Sequence, residues 1–316
     1  MRADLLNKFG VTQDVFSDDF TGCVLGRTLI MDGDAACYKA SATAAKLVTA
    51  QRRFTTLIYE AMFLTKAEFA RVHLTPKGCL KNGRHLLLGV KPYQGNRNGK
   101  VKPQQLEPLR NSAQSLFAEH ENIQVFAHYD IEADDGIMQD AYTVQNGIVW
   151  SEDKDLNIVP CTKYDISTAR ELNLAPGTRF GWVDIGYTET GNPKPKGHGT
   201  KFFWLQMLMG DTADNVQGIL KLDGKKCGLA GAMQYLTGIT DEDHCANLVL
   251  NAYRAINQNF IPEAEALWLT RCAGDTACLY IWSLNLTPAN REFFKDCYSR
   301  PWKMKEEEYV RDEETP

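Results

Sequence analysis

Short apolar runs that end in acidic residues recur through the first half of the chain, and this recurrence limits the fold more than any other feature. Thr28-Leu29-Ile30-Met31 leads into Asp32-Gly33-Asp34. Ile123-Gln124-Val125-Phe126-Ala127 precedes Tyr129-Asp130-Ile131-Glu132-Ala133-Asp134-Asp135. Gly147-Ile148-Val149-Trp150 runs straight into Ser151-Glu152-Asp153-Lys154-Asp155. Apolar runs this short read as strands buried on both faces. Arg71-Val72-His73-Leu74 and Asn157-Ile158-Val159-Pro160 supply two more. Helix-forming stretches separate them: Ala35 to about residue 69, residues 104–119, and the segment from Asp135 toward Val144. Strand-helix-strand order predicts an α/β fold around a central, mostly parallel sheet. Parallel strands share one carboxyl edge, where open α/β sheets place ligands.

A further acidic pair lies in Gly210-Asp211-Thr212-Ala213-Asp214, with Gly218 beyond it. The preceding run, Phe202-Phe203-Trp204-Leu205-Gln206-Met207-Leu208-Met209, must pack inside. A spacing of three puts Asp211 and Asp214 on one side of a helical turn. Each acid also has a plain structural use. Asp134 and Asp135 suit a helix N-terminus, Ser151 suits an N-cap, and Asp211 and Asp214 suit a solvated loop. Three acids within four residues exceed what capping needs. Asp32, Glu132, Asp134, Asp135, Asp153, Asp155, Asp211 and Asp214 would converge with only Lys154 close by in sequence. Carboxylates so placed repel unless a cation lies between them. Oxygen-only donors select Mg²⁺ or Mn²⁺ over zinc. Two such ions about 4 Å apart can clamp both reacting oxygens of a phosphodiester and turn a bound water into a nucleophile.

Residues 75–103 hold no acid at all and are broken by glycines. Basic residues with one Tyr in a long insert suit a phosphate backbone; the plain alternative is a solvated linker. The chain carries a formal charge of −5, but the distribution matters more than the sum. With the eight acids committed to metal, the remainder is mildly basic. Nine Cys without a Cys-x-x-Cys pair suit reduced thiols in a cytosol and no zinc site. The polar start is unlike a signal peptide, and no apolar run matches a membrane span. Residues 1–21 read as a polar lead-in with a short helix, 177–201 as a hairpin and a basic loop, and 222–300 as mainly helical. The charged tail, residues 306–316, reads as disordered.

Asp32-Gly33, Glu132-Ala133-Asp134-Asp135, Ser151-x-Asp153-Lys154-Asp155 and Gly210-Asp211-x-x-Asp214-Asn215-x-x-Gly218-Ile219 together resemble the motif series of the flap-endonuclease family. In order and spacing they are similar to its bacteriophage 5′→3′ exonucleases, over roughly residues 24–240. The resemblance implies a PIN-like nuclease core over 1–205 with a helical arch at about 75–103. It implies a helix-hairpin-helix-type DNA-binding part over 206–305. It implies cleavage of duplex or 5′-flapped DNA, or of RNA primers in RNA–DNA hybrids, in phage replication or host DNA degradation in the bacterial cytoplasm. Asp32, Glu132 and Asp134 would hold one metal. Asp134, Asp153, Asp155 and Asp211 would hold or bridge the second, with Asp135 and Asp214 acting through water. Tyr93-Gln94-Gly95-Asn96-Arg97 resembles the arch motif, and Arg84, Lys91, Tyr93, Gln94, Arg97, Lys100, Lys102, Gly218, Lys225 and Lys226 would face DNA.

Three departures stand out. The family's arch Lys is Gln94 here, which leaves steering to Lys91, Arg97 or Lys100. The acid expected after the second strand is missing at Leu74-Thr75-Pro76, which leaves the gap to Asp34 or to a weaker site needing more Mg²⁺ or favouring Mn²⁺. Leu220-Lys221-Leu222-Asp223-Gly224 departs from the Gly-rich hairpin that binds K⁺, so K⁺ binding stays open. Two other readings compete: a haloacid-dehalogenase-like phosphatase built on Asp32-Gly33-Asp34, and a nuclease-like DNA-binding protein disabled by the missing acid.

Overall fold

The computed structural model describes residues 22–97, 101–188 and 190–308. The first strand is the centre of the molecule. β1 (Val24–Asp32) has Leu29 and Ile30 both fully buried. Successive side chains of a strand point to opposite faces, so both faces of β1 must be covered. Leu29 and Met31 join one apolar cluster and Ile30 the other. β2 (Ala67–Leu74), β3 (Ile123–Ala127), β4 (Gly147–Trp150), β5 (Thr162–Asp165) and β6 (Arg170–Leu172) complete a sheet in the order β3-β2-β1-β4-β5-β6. All neighbours are parallel except β5 and β6. Asp32 pairs in register with His73, and Met31 with Trp150, so the acids beyond β1 and β4 emerge side by side.

One face is covered by α1 (Gly33–Ser41), α2 (Leu47–Thr65) and α3 (Leu106–Leu116). α2 turns Ala50, Phe54, Ile58, Ala61, Met62 and Thr65 inward at helical spacing. The other face carries α4 (Ala133–Thr143), α5 (Lys201–Met209), α6 (Leu229–Tyr235), α7 (Glu242–Ala255), α8 (Ile261–Leu267), α9 (Ala277–Trp282) and α10 (Pro288–Ser299). α5 is buried along nearly its whole length, as its all-apolar run requires. One apolar cluster runs from Ile30 through α5 to Cys297, drawing on residues from both sides of position 205. β7 (Trp182–Tyr187) and β8 (Pro193–His198) form the expected hairpin, and β8 takes up much of the stretch read as a basic loop. All nine Cys are free. Among the described residues no helix is long and apolar enough to cross a membrane.

Several local expectations are corrected. The helix expected from Ala35 to about residue 69 is two helices and the start of β2. Lys66 stops α2 in the left-handed conformation (φ 54°), and Ala67 begins pairing with Val24. Asn157-Ile158-Val159-Pro160 is not a strand. Residues Asp155–Ile158 form a 3₁₀ turn instead, with Asn157 N donating to Lys154 O at 2.9 Å, so the backbone closes on itself and pairs with no strand among the described residues. The insert forms no helical arch among its described residues. It makes two 3₁₀ turns, Lys81–Leu86, broken by left-handed Asn82 and Gly83, and Gly95–Arg97, entered from left-handed Gln94. Its base is clasped by the end of the chain: Leu88 N donates to Trp302 O at 2.9 Å and Met304 N to Leu86 O at 2.8 Å. Residues Glu306–Glu308 form a short turn, whereas the lead-in at 1–21, Lys100 and the last eight positions of the tail lie outside the described residues.

Candidate active site

The site begins with Asp32 at the carboxyl end of β1. Its Oδ1 accepts from Ala35 N at 3.0 Å and caps α1, while its Oδ2 accepts from Ser151 Oγ at 3.0 Å. Ser151 Oγ also accepts from Asp153 N at 2.9 Å, and Asp153 Oδ1 accepts from Asp155 N at 2.9 Å. These bonds fold 151–155 into a turn that sets Asp153 near Asp32 and Asp155 near Asp211 and Asp214. Burial pushes the Asp32 carboxyl up to about 6, with Asp34 and Asp153 adding repulsion. Beneath the turn, the Lys163 ammonium donates to Asn157 Oδ1 at 2.6 Å and to Asp153 O at 3.3 Å. Burial lowers it to about 8, against the pull of Asp153 and Asp155.

α4 brings the second group. Burial, then the charges of Asp153, Asp32, Glu132 and Asp155, hold Asp134 well above the usual carboxylate range, so it faces the others. Asp135 turns away. Its Oδ1 accepts from Arg84 Nη2 at 2.7 Å and Thr270 N at 2.9 Å, and its Oδ2 accepts from Arg84 Nη1 at 2.7 Å and Glu132 N at 3.1 Å. Burial works to raise Asp135, but Arg84 outweighs it and the net shift is downward. Each oxygen takes two donors inside a buried ion pair, so Asp135 is a strut under Glu132, and its place among the metal ligands is corrected.

Asp211 and Asp214 do not lie on a helical turn. Asp211 N donates to Val216 O at 2.8 Å and Val216 N returns to Asp211 O at 2.7 Å, closing a tight loop. Gly210 (φ 74°) and Gly218 (φ 68°) pinch its ends. A Cβ on Gly210 would lie 2.4 Å from Gln217 O, and one on Gly218 would lie 2.4 Å from Gly210 N. No L side chain fits either place. The pinch still delivers both acids: oxygens of Asp155, Asp211 and Asp214 all lie within 4.8 Å of one another. Lys154 Nζ reaches Asp155 Oδ1 at 3.0 Å and Asp211 Oδ2 at 2.5 Å. Burial raises Asp211, but Lys154 reverses this and the carboxyl is lowered; Asp155 is raised by burial and by Asp153.

The basic insert folds down onto these acids. Tyr93 Oη donates to Glu132 Oε2 at 2.8 Å and Asp214 Oδ2 at 3.2 Å. Gln94 Nε2 donates to Glu132 Oε1 at 3.2 Å and Asp214 Oδ1 at 3.0 Å, and Arg97 Nη2 to Asp214 Oδ1 at 2.5 Å. Two expected DNA contacts are corrected. Arg84 is buried and committed to Asp135, Glu132 and Trp268 O. Gly218 is buried with its N–H donated to Glu263 Oε2 and its carbonyl accepting from Gln258. Lys91, Lys102, Lys225 and Lys226 are exposed.

Sequence reading passed over four supports. Asp34, in the sequence only a stopgap for the missing acid, has a carboxylate that accepts from Thr75 N at 3.2 Å and pairs with Arg110 at 2.9 Å. Gln206 donates to Asp155 Oδ1 at 2.5 Å and Asp211 Oδ2 at 3.4 Å; its place in an apolar run was the signal. Glu263, buried on α8, ties Val90 N at 2.8 Å and Gly218 N at 2.9 Å, joining the insert to the acidic loop. Thr270 also comes from far along the chain, and nothing local marks either residue.

The residues present suit hard divalent cations. The donors are all oxygens, burial and mutual repulsion raise several of them, and the buried Gln206 Oε1 beside Asp155 and Asp211 has no partner. The sequence matches no family model and no curated protein. Solved structures do match. The D15 protein of bacteriophage T5, co-crystallised with metal ions, superposes with a TM-score of 0.52 at 14% identity, covering 86% of this chain and 98% of that one. This is the fold of the T5 5′-exonuclease. A zinc-bound structure of the T5 5′-exonuclease gives the same TM-score and coverage at 16% identity. The mixed α/β core with its six-stranded, mostly parallel sheet is thus the T5 5′-exonuclease fold, while its chemistry in this chain rests on the side chains.

Proposed function

We propose that this chain is a divalent-metal-dependent nuclease that hydrolyses DNA from 5′ ends or at 5′ flaps, with RNA primers in RNA–DNA hybrids as a second substrate. The observation that carries this reading is that oxygens of Asp155, Asp211 and Asp214 lie within 4.8 Å of one another beneath a basic insert, while the charges of Asp153, Asp32 and Glu132 bear on the buried Asp134. Asp32, Glu132 and Asp134 would hold one ion, and Asp134, Asp153, Asp155 and Asp211 would hold the other. Divalent ions bound there supply charge neutralisation at the scissile phosphate and lower the pKa of an attacking water. The protein's own part is to hold the acids rigid. Ser151 orients Asp32, Asp135 and Arg84 brace Glu132, and the Gly210–Gly218 pinch sets Asp211 against Asp155. Arg97 of the insert, with the exposed Lys91 and Lys102, is placed to meet phosphate once substrate competes for it. The two T5 structures that share the fold hold metal ions, zinc in one of them, which supports this reading.

The test is 5′-labelled duplex and flapped DNA with Mg²⁺. A nuclease releases short 5′ products; a phosphatase releases phosphate alone, and a disabled binder retains uncut DNA. Asp153→Asn and Asp211→Asn should each lower the cleavage rate at least ~10³-fold while DNA affinity holds or rises. Near-wild-type cleavage by both variants would sink the assignment.

A further inference from the structure

Lys154 lies between two of the acids the nuclease reading assigns to metal. Its Nζ touches Asp155 at 3.0 Å and Asp211 at 2.5 Å, the same pair that Gln206 spans from below. Oxygens of Asp155, Asp211 and Asp214 lie within 4.8 Å of one another, a spacing that suits a shared cation. The two side chains differ in what they can do next. Gln206 is 1% exposed, fixed on α5, with an unpartnered Oε1. The Lys154 side chain is 27% exposed, on a four-carbon stem at the mouth of the site. A dication among these acids and an ammonium on the same oxygens repel each other strongly. The stem is flexible and partly exposed, so the ammonium can swing away while Asp155 and Asp211 stay.

We propose that Lys154 is a displaceable counter-ion: it holds Asp155 and Asp211 together before metal binds, then passes to a substrate phosphate once the metal takes its place. The idea rests on the nuclease reading and goes one step beyond it. It makes Lys154 a competitor for metal and, with metal bound, a contact for DNA. Gln206 keeps the two acids from splaying during the exchange. Among the described residues, Arg97 also pairs with this group of acids, through Asp214 and not through Asp155 or Asp211.

The test uses the full chain and reads binding, not turnover. Mn²⁺ is titrated without DNA, with free Mn²⁺ followed by electron paramagnetic resonance. Lys154→Met should bind its tighter ion roughly tenfold more strongly than wild type, because a competing charge is gone. Lys154→Gln should behave the same way and serves if the Met variant does not fold. Binding of flapped DNA is then measured against salt, in Ca²⁺ and in EDTA. In Ca²⁺ the variants should lose about 0.9 from the slope of log affinity on log salt, the share of one phosphate contact. In EDTA the slopes should match, since Lys154 is then held by Asp155 and Asp211. Equal or weaker Mn²⁺ binding by both variants, or an unchanged slope in Ca²⁺, would overturn the proposal. Asp211→Asn separates the two levels. If it and wild type bind Mn²⁺ alike, the metal-nuclease reading falls and this proposal with it. If it loses an ion while the Lys154 variants match wild type, the proposal falls alone.

Discussion

Arg84 and Asp135 form a buried two-point ion pair, Nη1 to Oδ2 and Nη2 to Oδ1 each at 2.7 Å, directly under the acids of the site. The pair joins the insert to the first turn of α4. Breaking one half of a buried pair leaves the other charge uncompensated. Arg84→Met should therefore cost about 3–5 kcal/mol in urea unfolding. The double variant with Asp135→Asn should recover part of that loss. A single-variant cost under about 1 kcal/mol would mean that solvent reaches the pair.

Asp32 gives a pH dependence in the metal-free protein. Burial raises its carboxyl from an ordinary 3.8 to about 6. Between those values the folded chain holds a proton that the unfolded chain has released. The stability Asp32 contributes is thus full below about 4 and lost as pH rises through about 6. Asp32→Asn keeps the cap on α1 and carries no charge. In EDTA, urea unfolding should show this variant gaining about 2–3 kcal/mol relative to wild type at pH 7.5, with little difference at pH 4. An equal offset at both pH values would refute the burial argument.

Gln94 spans Glu132 and Asp214 with a neutral amide, and its Oε1 accepts from Lys81 Nζ at 2.5 Å. Gln94→Lys would put a cation between two acids and beside Lys81. DNA binding should become more salt-sensitive, the slope steepening by about 0.9, and Mn²⁺ affinity should fall. A slope like that of wild type would show that this side chain stays on the acids when DNA arrives.

Asp34 stands beside Thr75, where an acid is missing. Thr75 N donates to Asp34, and Thr75 Oγ1 accepts from Ala133 N at 2.8 Å at the start of α4. Thr75→Asp would set a carboxylate against Asp34 and take the hydroxyl from Ala133. The Mg²⁺ midpoint of the initial rate should stay put or rise for Thr75→Asp, and it should rise for Asp34→Asn. A lower midpoint for Thr75→Asp would show that Asp34 does not fill the gap.

Much of this protein can be read along the chain because its sheet is parallel. Apolar runs at Thr28–Met31, Ile123–Ala127 and Gly147–Trp150 lie in strands, and parallel order sends the acids after them to one edge. That follows from side-chain periodicity and strand direction, which are local properties. The partners of those acids are not local. Arg84 meets Asp135 across 51 positions, Lys154 meets Asp211 across 57, and Gly218 meets Glu263 across 45. Such pairs carry no periodicity or spacing that marks them. The insert shows the same limit: its basic composition pointed outward to phosphate, yet Tyr93, Gln94 and Arg97 turn inward. Concentrated negative charge attracts whichever donors the fold brings within reach, and only the tertiary structure decides which those are.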